Sequence, residues 1–310
     1  MAWTSGTAAG HDDLLDDLKT FLTTNATLVA AGENWVAEKD ELFTPRTIYN
    51  VTGTSLTGDM RGLYLNGPGL AGQDNVHVNI LRYQRTGNYQ NWAMAGATAF
   101  DTNQAWENQP GIVVAQLNIP IFVLTSADID YWFIANGRRF IIICEIGGDF
   151  HVSYGGLILP YAKPSEFPYP LFVAGSTQAF DASPASALNN FYTVINAYSA
   201  LFRTPNGVIY RCGNLSSIDQ MATWPYYESA TYLNITNNPD DSFTLLPMVF
   251  YTDDLGGNVY GEPQGCFYVS NFGTTNLLNQ DIVQVGGVDH LVVQDTDDSS
   301  QNHWAAFRLE

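Results

Sequence analysis

Arg139-Phe140-Ile141-Ile142-Ile143-Cys144-Glu145-Ile146, broken by Gly147-Gly148-Asp149 and resumed from His151 to Leu159, is the stretch that decides the fold class. The first run is apolar on both faces and rich in isoleucine, so it suits a central strand covered from both sides. It is far too short to cross a bilayer. The Gly-Gly-Asp break is a turn signal, so the two runs together predict a hairpin.

Outward from this hairpin the period stays at two. Val76, Val78 and Ile80 alternate with His77 and Asn79, as in a half-buried strand. Further strands are expected at Arg46–Val51, Leu63–Asn66, Trp92–Thr98, Leu171–Ala174, Ser199–Arg203, Val208–Cys212, Leu245–Tyr251, Phe267–Ser270, His290–Gln294 and Trp304–Leu309. Clusters of Gly, Pro, Asn and Asp separate them, which predicts an all-β fold of β-sandwich or jelly-roll type. The beginning of the chain departs clearly from this period. From His11 to Thr24, Leu14, Leu15, Leu18, Phe21 and Leu22 share one helical face, and Asp12 and Asp13 sit at the positive end of the dipole. An extension through Leu28 and Val29 would stop at Gly32. Ala182–Ala200 fits a helix through Leu188, Phe191, Tyr192 and Ile195, or a strand through Phe191 to Ile195.

Pro160 to Pro170 holds four prolines in eleven residues and cannot lie inside a sheet. It gives the expected division of the chain. Residues 1–34 form an N-terminal amphipathic helical segment and 35–160 a β-sandwich domain; 161–170 is a linker or clamp, and 171–310 a second β-rich domain. Tyr161, Phe167, Tyr169 and Leu171 are too apolar to hang in solvent. They are expected to dock on a neighbouring subunit or to clamp the chain's own core, and the clamp is the favoured of the two.

Composition narrows the function. Charged residues are 14% of the 310, against roughly 25% in an ordinary soluble protein. Twelve Lys and Arg face 31 Asp and Glu, a formal charge of −19. Arg82, Arg85, Arg138 and Arg139 are too sparse to neutralise a nucleic-acid backbone, so sequence-specific nucleic-acid binding is not expected. Cys144, Cys212 and Cys266 are odd in number and widely spaced, and read as core residues rather than a disulfide or zinc framework. Met1 to Gly6 carry neither a basic start nor an apolar run, so no signal peptide is expected, and with apolar runs too short to span a bilayer no membrane partner is expected. In a reducing cytoplasm the sequons at Asn25, Asn50, Asn214 and Asn234 carry no glycan.

Motifs that would mark an enzyme are weak. Gly67-Pro68-Gly69-Leu70-Ala71-Gly72 has the dinucleotide spacing, but a strand follows where a helix is required, so a turn is expected. The acidic clusters Asp240-Asp241, Asp253-Asp254 and Asp295 to Asp298 lack calcium-loop spacing. His11, His77, His151, His290 and His303 show no metal-binding spacing, and His77 and His151 read as surface or hydrogen-bonded half-buried residues. No cofactor or metal is expected. Glu145, a lone acid in its apolar strand, is the most suggestive carboxylate if the chain were a glycosidase, but an edge residue or an ion pair with Arg138 or Arg139 is the favoured reading.

Several segments together resemble a family of tailed-phage virion structural proteins. They are Tyr131 to Ile141 with its Ala-Asn-Gly-Arg-Arg turn, Tyr154 to Tyr161, and Pro164 to Leu171. Gly62 to Gly69, Tyr89 to Trp92, Leu201 to Val208 and Tyr260 to Phe267 extend the likeness over roughly residues 35–310. The resemblance implies a particle component with no catalytic residues, assembled in the host cytoplasm. The expectation is a non-enzymatic virion subunit in the tail or baseplate region, a homo-oligomer contacting other virion proteins. Capsid decoration is the near alternative. A carbohydrate-binding host-attachment module and a glycan depolymerase are the more distant ones.

Overall fold

The computed structural model describes residues 1–46, 48, 56–69, 75–85, 89–114, 119–176, 190–192, 199–212, 220–224, 243–252, 257–270, 278–294 and 304–309. They form three sheets. The first is an antiparallel meander of β2 (Val36–Phe43), β3 (Leu56–Gly67), β4 (Val76–Arg85), β5 (Tyr89–Ala97) and β6 (Ile121–Leu124). The central sheet has eleven strands. In spatial order they are β1 (Ala2–Ala8), β7 (Ile129–Asn136), β8 (Arg139–Ile146), β9 (Asp149–Leu157), β11 (Leu171–Ala174), β12 (Ala200–Arg203), β13 (Ile209–Cys212), β14 (Gln220–Trp224), β16 (Val249–Thr252), β17 (Asn258–Glu262) and β10 (Leu159–Pro160). The third runs β15 (Leu245–Pro247), β18 (Cys266–Val269), β21 (Trp304–Arg308), β20 (Val288–Gln294) and β19 (Ile282–Val285). Among these pairings only β13 with β14 is parallel.

The both-faced apolarity of β8 has a direct cause. Phe140, Ile142 and Cys144 enter a core shared with Val76, Val78 and Ile80 of the first sheet. Ile141 and Ile143 enter a second core with Phe172, Phe250 and Phe307. The central sheet is therefore covered on both sides, and the fold is the all-β, sandwich-like class that the period predicts. The β8–β9 hairpin forms around Gly147-Gly148 with the register Ile146↔Asp149. Leu171–Ala174 is a strand with the expected bounds, and the runs near 63–66, 92–98, 199–203, 208–212, 267–270, 290–294 and 304–309 all fall on strands. Leu245–Tyr251 is instead split at Met248, because Pro247 has no N–H to continue a ladder; its halves join different sheets. Of Arg46–Val51 only Arg46 and Ile48 are described, neither in a strand, and most of Ala182–Ala200 lies outside the described residues.

Strand β4 corrects one expectation. It is buried on both faces, with His77 and Asn79 8% and 2% exposed. Trp106, from a 3-10 turn at Trp106–Asn108, and Ile119 join Leu81 and Tyr83 in a further core outside the first sheet, so the polar positions of the alternation are not solvent-facing.

The amphipathic segment folds as α1 (His11–Thr24), burying Leu14, Leu15, Leu18, Phe21 and Leu22. It does not simply run on. Asn25 breaks the helix, and its side-chain oxygen accepts hydrogen bonds from Thr27 N and Leu28 N to start α2 (Ala26–Ala31). Gly32, at φ 66°, closes α2. Ahead of α1, β1 pairs with β7 from Ala2↔Ala135 to Ala8↔Ile129. Nothing in its sequence, Ala-Trp-Thr-Ser-Gly-Thr-Ala, advertises a strand.

The proline-rich stretch does not interrupt the central sheet. β9 and β11, on either side of it, are hydrogen-bonded neighbours from Leu157↔Leu171 to Tyr154↔Ala174.

Candidate functional site

Segments far apart in sequence converge on the tight turn between β7 and β8, Asn136-Gly137-Arg138-Arg139. The Asn136 side-chain oxygen accepts from the backbone N–H groups of Arg138 (2.9 Å) and Arg139 (3.1 Å), which fixes the turn. Trp35 donates its indole N–H to Asn136 O at 2.8 Å, and Gly69 N–H donates to Gly137 O at 2.8 Å. Gly67 must lack a side chain, since a Cβ there would stand 2.8 Å from Gly137 O and 2.9 Å from the Trp35 ring. On the other flank Leu157 N–H donates to Arg138 O at 2.9 Å. Gly156 has φ +140°, and a Cβ on it would lie 2.3 Å from that same carbonyl. Asn136 Nδ2 also donates to Gln264 Oε1 at 3.0 Å, drawing in the loop between β17 and β18. The Gly-Pro-Gly, Asn-Gly-Arg-Arg, Tyr-x-Gly and Gly-Glu-Pro-Gln-Gly segments thus form one constellation. The Gly67–Gly69 part of the nominal dinucleotide motif is the end of β3 and a backbone prop, while Leu70 to Gly72 lie outside the described residues.

Beneath this turn lies a cavity of about 450 Å³. Arg138, Arg139 and Arg308 line it, a quarter of the chain's twelve basic residues, together with Glu33 and Glu262. Arg139 is completely buried. Its Nη1 donates to Ile134 O at 3.2 Å, its Nη2 lies 3.0 Å from Met1 Sδ, and its Nε has no hydrogen-bond partner. Burial lowers its affinity for a proton, and the neighbouring Arg138 and Arg308 charges act in the same direction. Glu33 accepts from the Met1 amino group at 3.1 Å. Burial raises the Glu262 carboxyl above the usual range. The Cys266 thiol, pushed up to about 12 by burial, stays protonated in the cavity wall. Such a site can hold an anion against a dry guanidinium. Sequence reasoning considered the Arg-Arg pair as a turn device, as part of a sparse basic set and as a partner for Glu145, but not as a cavity lining, because nothing local reveals that the second arginine points inward.

The four aromatic–proline residues part company. Phe167 is 1% exposed and packs edge-on against Phe202 (5.7 Å, 90°) and Tyr260 (6.3 Å, 63°). Leu171 is fully buried in the core between the first and central sheets. Tyr169 is half-buried at φ 52°, under the Arg203 guanidinium, which also donates to Pro168 O at 2.8 Å. Only Tyr161, 57% exposed, presents its ring to solvent. The stretch is tied into its own chain by Tyr161 N to Tyr260 O (3.0 Å) and Ile158 N to Pro170 O (3.0 Å).

Glu145 has neither arginine partner that the sequence suggests. Its Oε2 accepts from Gln280 Nε2 at 2.5 Å, and its strand neighbour across the ladder is Asp130. Arg139 turns into the cavity instead, which leaves Glu145 at the far end of β8. His151 is corrected more sharply: it is fully buried, with both ring nitrogens unpartnered, because β9 is covered on both faces. Burial lowers its imidazole to about 4. Cys144, Cys212 and Cys266 are free and buried, as their spacing predicts. The acidic clusters at 240–241, 253–254 and 295–298, and His303, lie outside the described residues; among the described residues no group of three or more His, Cys, Asp and Glu is placed to hold a metal ion. No described helix is long and apolar enough to cross a membrane. No family model matches the chain, and no curated protein sequence matches it.

Proposed function

We propose that this chain is a structural subunit of a tailed-phage particle, placed in the tail or baseplate region, that works by non-covalent assembly with copies of itself and with other particle proteins. The observation that carries the reading is the state of the sheet edges. Natural monomers blunt an edge strand with charge, as β2 does with Glu38-Lys39-Asp40-Glu41. At the edge of the third sheet β19 reads Ile-Val-Gln-Val, without a charge, and Ile282 and Val285 are 53% and 39% exposed. At the edge of the central sheet β1 is equally uncharged, and Trp3 is 41% exposed. Among the described residues neither strand has a neighbour on its outer side. Unprotected edges of this kind invite a strand from another chain. The likeness of the Tyr131–Ile141, Tyr154–Tyr161 and Tyr260–Phe267 segments to tailed-phage virion proteins supports the same reading.

Sedimentation of the purified chain tests assembly, and mass spectrometry of purified particles tests its place. The chain should form a defined multimer, and Ile282→Lys with Val285→Lys should shift it toward monomer while leaving the melting temperature unchanged at dilutions where both proteins are monomeric. A wild-type chain that stays monomeric at roughly 100 μM, well above the micromolar range of weak assemblies, and is missing from purified particles would overturn the proposal.

A further inference from the structure

We propose that the cavity beneath the β7–β8 turn is a binding site for a carboxylate group, with Arg139 as its anchor. The inference goes beyond assembly and does not rest on it. A guanidinium removed from water costs several kcal/mol unless an anion and hydrogen bonds compensate. Arg139 is fully buried, yet it has one carbonyl, one weakly accepting sulfur and an unpartnered Nε. Its charged neighbours, Arg138 and Arg308, share its sign. Of the two acids in the wall, Glu33 is engaged by the Met1 amino group, and neither Glu33 nor Glu262 forms an ion pair with Arg139.

The planar fork of an arginine matches a carboxylate, and one negative charge suits the site better than two. A phosphate dianion would meet Glu33 and Glu262 in the same wall. The cavity, about 450 Å³, is larger than a bare ion needs and falls in the range of small-molecule sites. Leu159, Pro263 and Phe267 supply an apolar wall for the body that bears the carboxylate.

Benzoate, its neutral counterpart benzamide and inorganic phosphate are the probes, titrated against the full chain with thermal melting and calorimetry. Benzoate should raise the melting temperature saturably, by about 4 °C at a hundred-fold excess over its Kd. Benzamide should not, and phosphate should do so only weakly. Arg139→Met should abolish the benzoate response. Should that variant fail to fold, Arg138→Gln with Arg308→Gln carries the test and should weaken benzoate at least ten-fold. Sedimentation in benzoate separates the two sources of the group: a constant mass assigns a free small acid, and dissociation of a multimer assigns an acidic side chain of a second copy. Equal responses to benzoate and benzamide, a benzoate response untouched by the double variant, or phosphate matching benzoate would each overturn the proposal.

Discussion

His151→Leu should stabilise the protein, and the gain should grow as the solution is acidified. The imidazole lies opposite Cys144 in the β8–β9 ladder, fully buried, with neither nitrogen hydrogen-bonded. Leaving a buried polar group unpaired costs about 1–3 kcal/mol, which an apolar side chain of similar volume avoids. Acid adds to this. Burial holds the folded ring at about 4, against an ordinary value of 6.5. As pH falls through 6.5 the unfolded chain takes up a proton that the folded chain refuses, so stability drops steadily until about pH 4. Between pH 7.5 and pH 5 one such group costs about 2 kcal/mol. His11, held at about 4 mainly by burial, adds a similar loss in both proteins, as do His77 and His290 in the same direction, so the difference between wild type and variant isolates His151. Urea unfolding at pH 7.5 and pH 5 provides both free energies. The variant should lead at pH 7.5, and the gap should widen by about 2 kcal/mol at pH 5. A gap that does not change with pH would falsify the account of a dry, neutral imidazole.

Phe167→Ala with Tyr169→Ala should lower the melting temperature, since Phe167 alone is worth roughly 3–5 kcal/mol; an unchanged melt would mean that the segment does not clamp the core. Gly156→Ala should cost on the order of 3 kcal/mol or more, because the new Cβ clashes with backbone at a φ that L-residues avoid; a folded variant with wild-type stability in urea would refute the packing at that turn. Hydrogen bonds from Arg61 and Lys19 hold the Asp40 carboxyl at about 2, below its ordinary value of 3.8. A lowered carboxylate stabilises above its unfolded value and loses that contribution as pH falls, so Asp40→Asn should cost about 1 kcal/mol at pH 7 after solvent screening, and about half that at pH 3. Equal costs at the two pH values would contradict the pairing.

The class of fold was legible because a covered strand must be apolar on both faces, and Phe140 to Cys144 are. The strand at Ala2–Ala8 was not legible, since small and hydroxylated residues at a sheet edge carry neither a helical nor a two-residue period. Sequence separation hid the arginine cavity too. Arg139 and Gln264 are 125 residues apart, and only the fold brings their loops together. The burial of His151 was equally concealed, because its alternating neighbours describe one strand and say nothing of the layer above it. Phe167 and Leu171 were recognised as too apolar for solvent, but which surface received Phe167 depended on Phe202 and Tyr260, contributed from far along the chain, and Leu171 went to the opposite core.

The pairing of β1 with β7 also sets a timetable. Ala2 meets Ala135, and the ladder closes seven pairs across that separation. At a synthesis rate of roughly 5–20 residues per second, β1 and α1 wait on the order of ten seconds for the strand they pack against. During that interval Leu14, Leu15, Leu18 and Phe21 lack the central-sheet half of the core that covers them. The nascent chain therefore carries a sticky amphipathic helix and an unpaired strand until the β7–β8 hairpin has been made. Its yield should depend on what holds that segment in the meantime, and slowing translation upstream of Ile129 should reduce it.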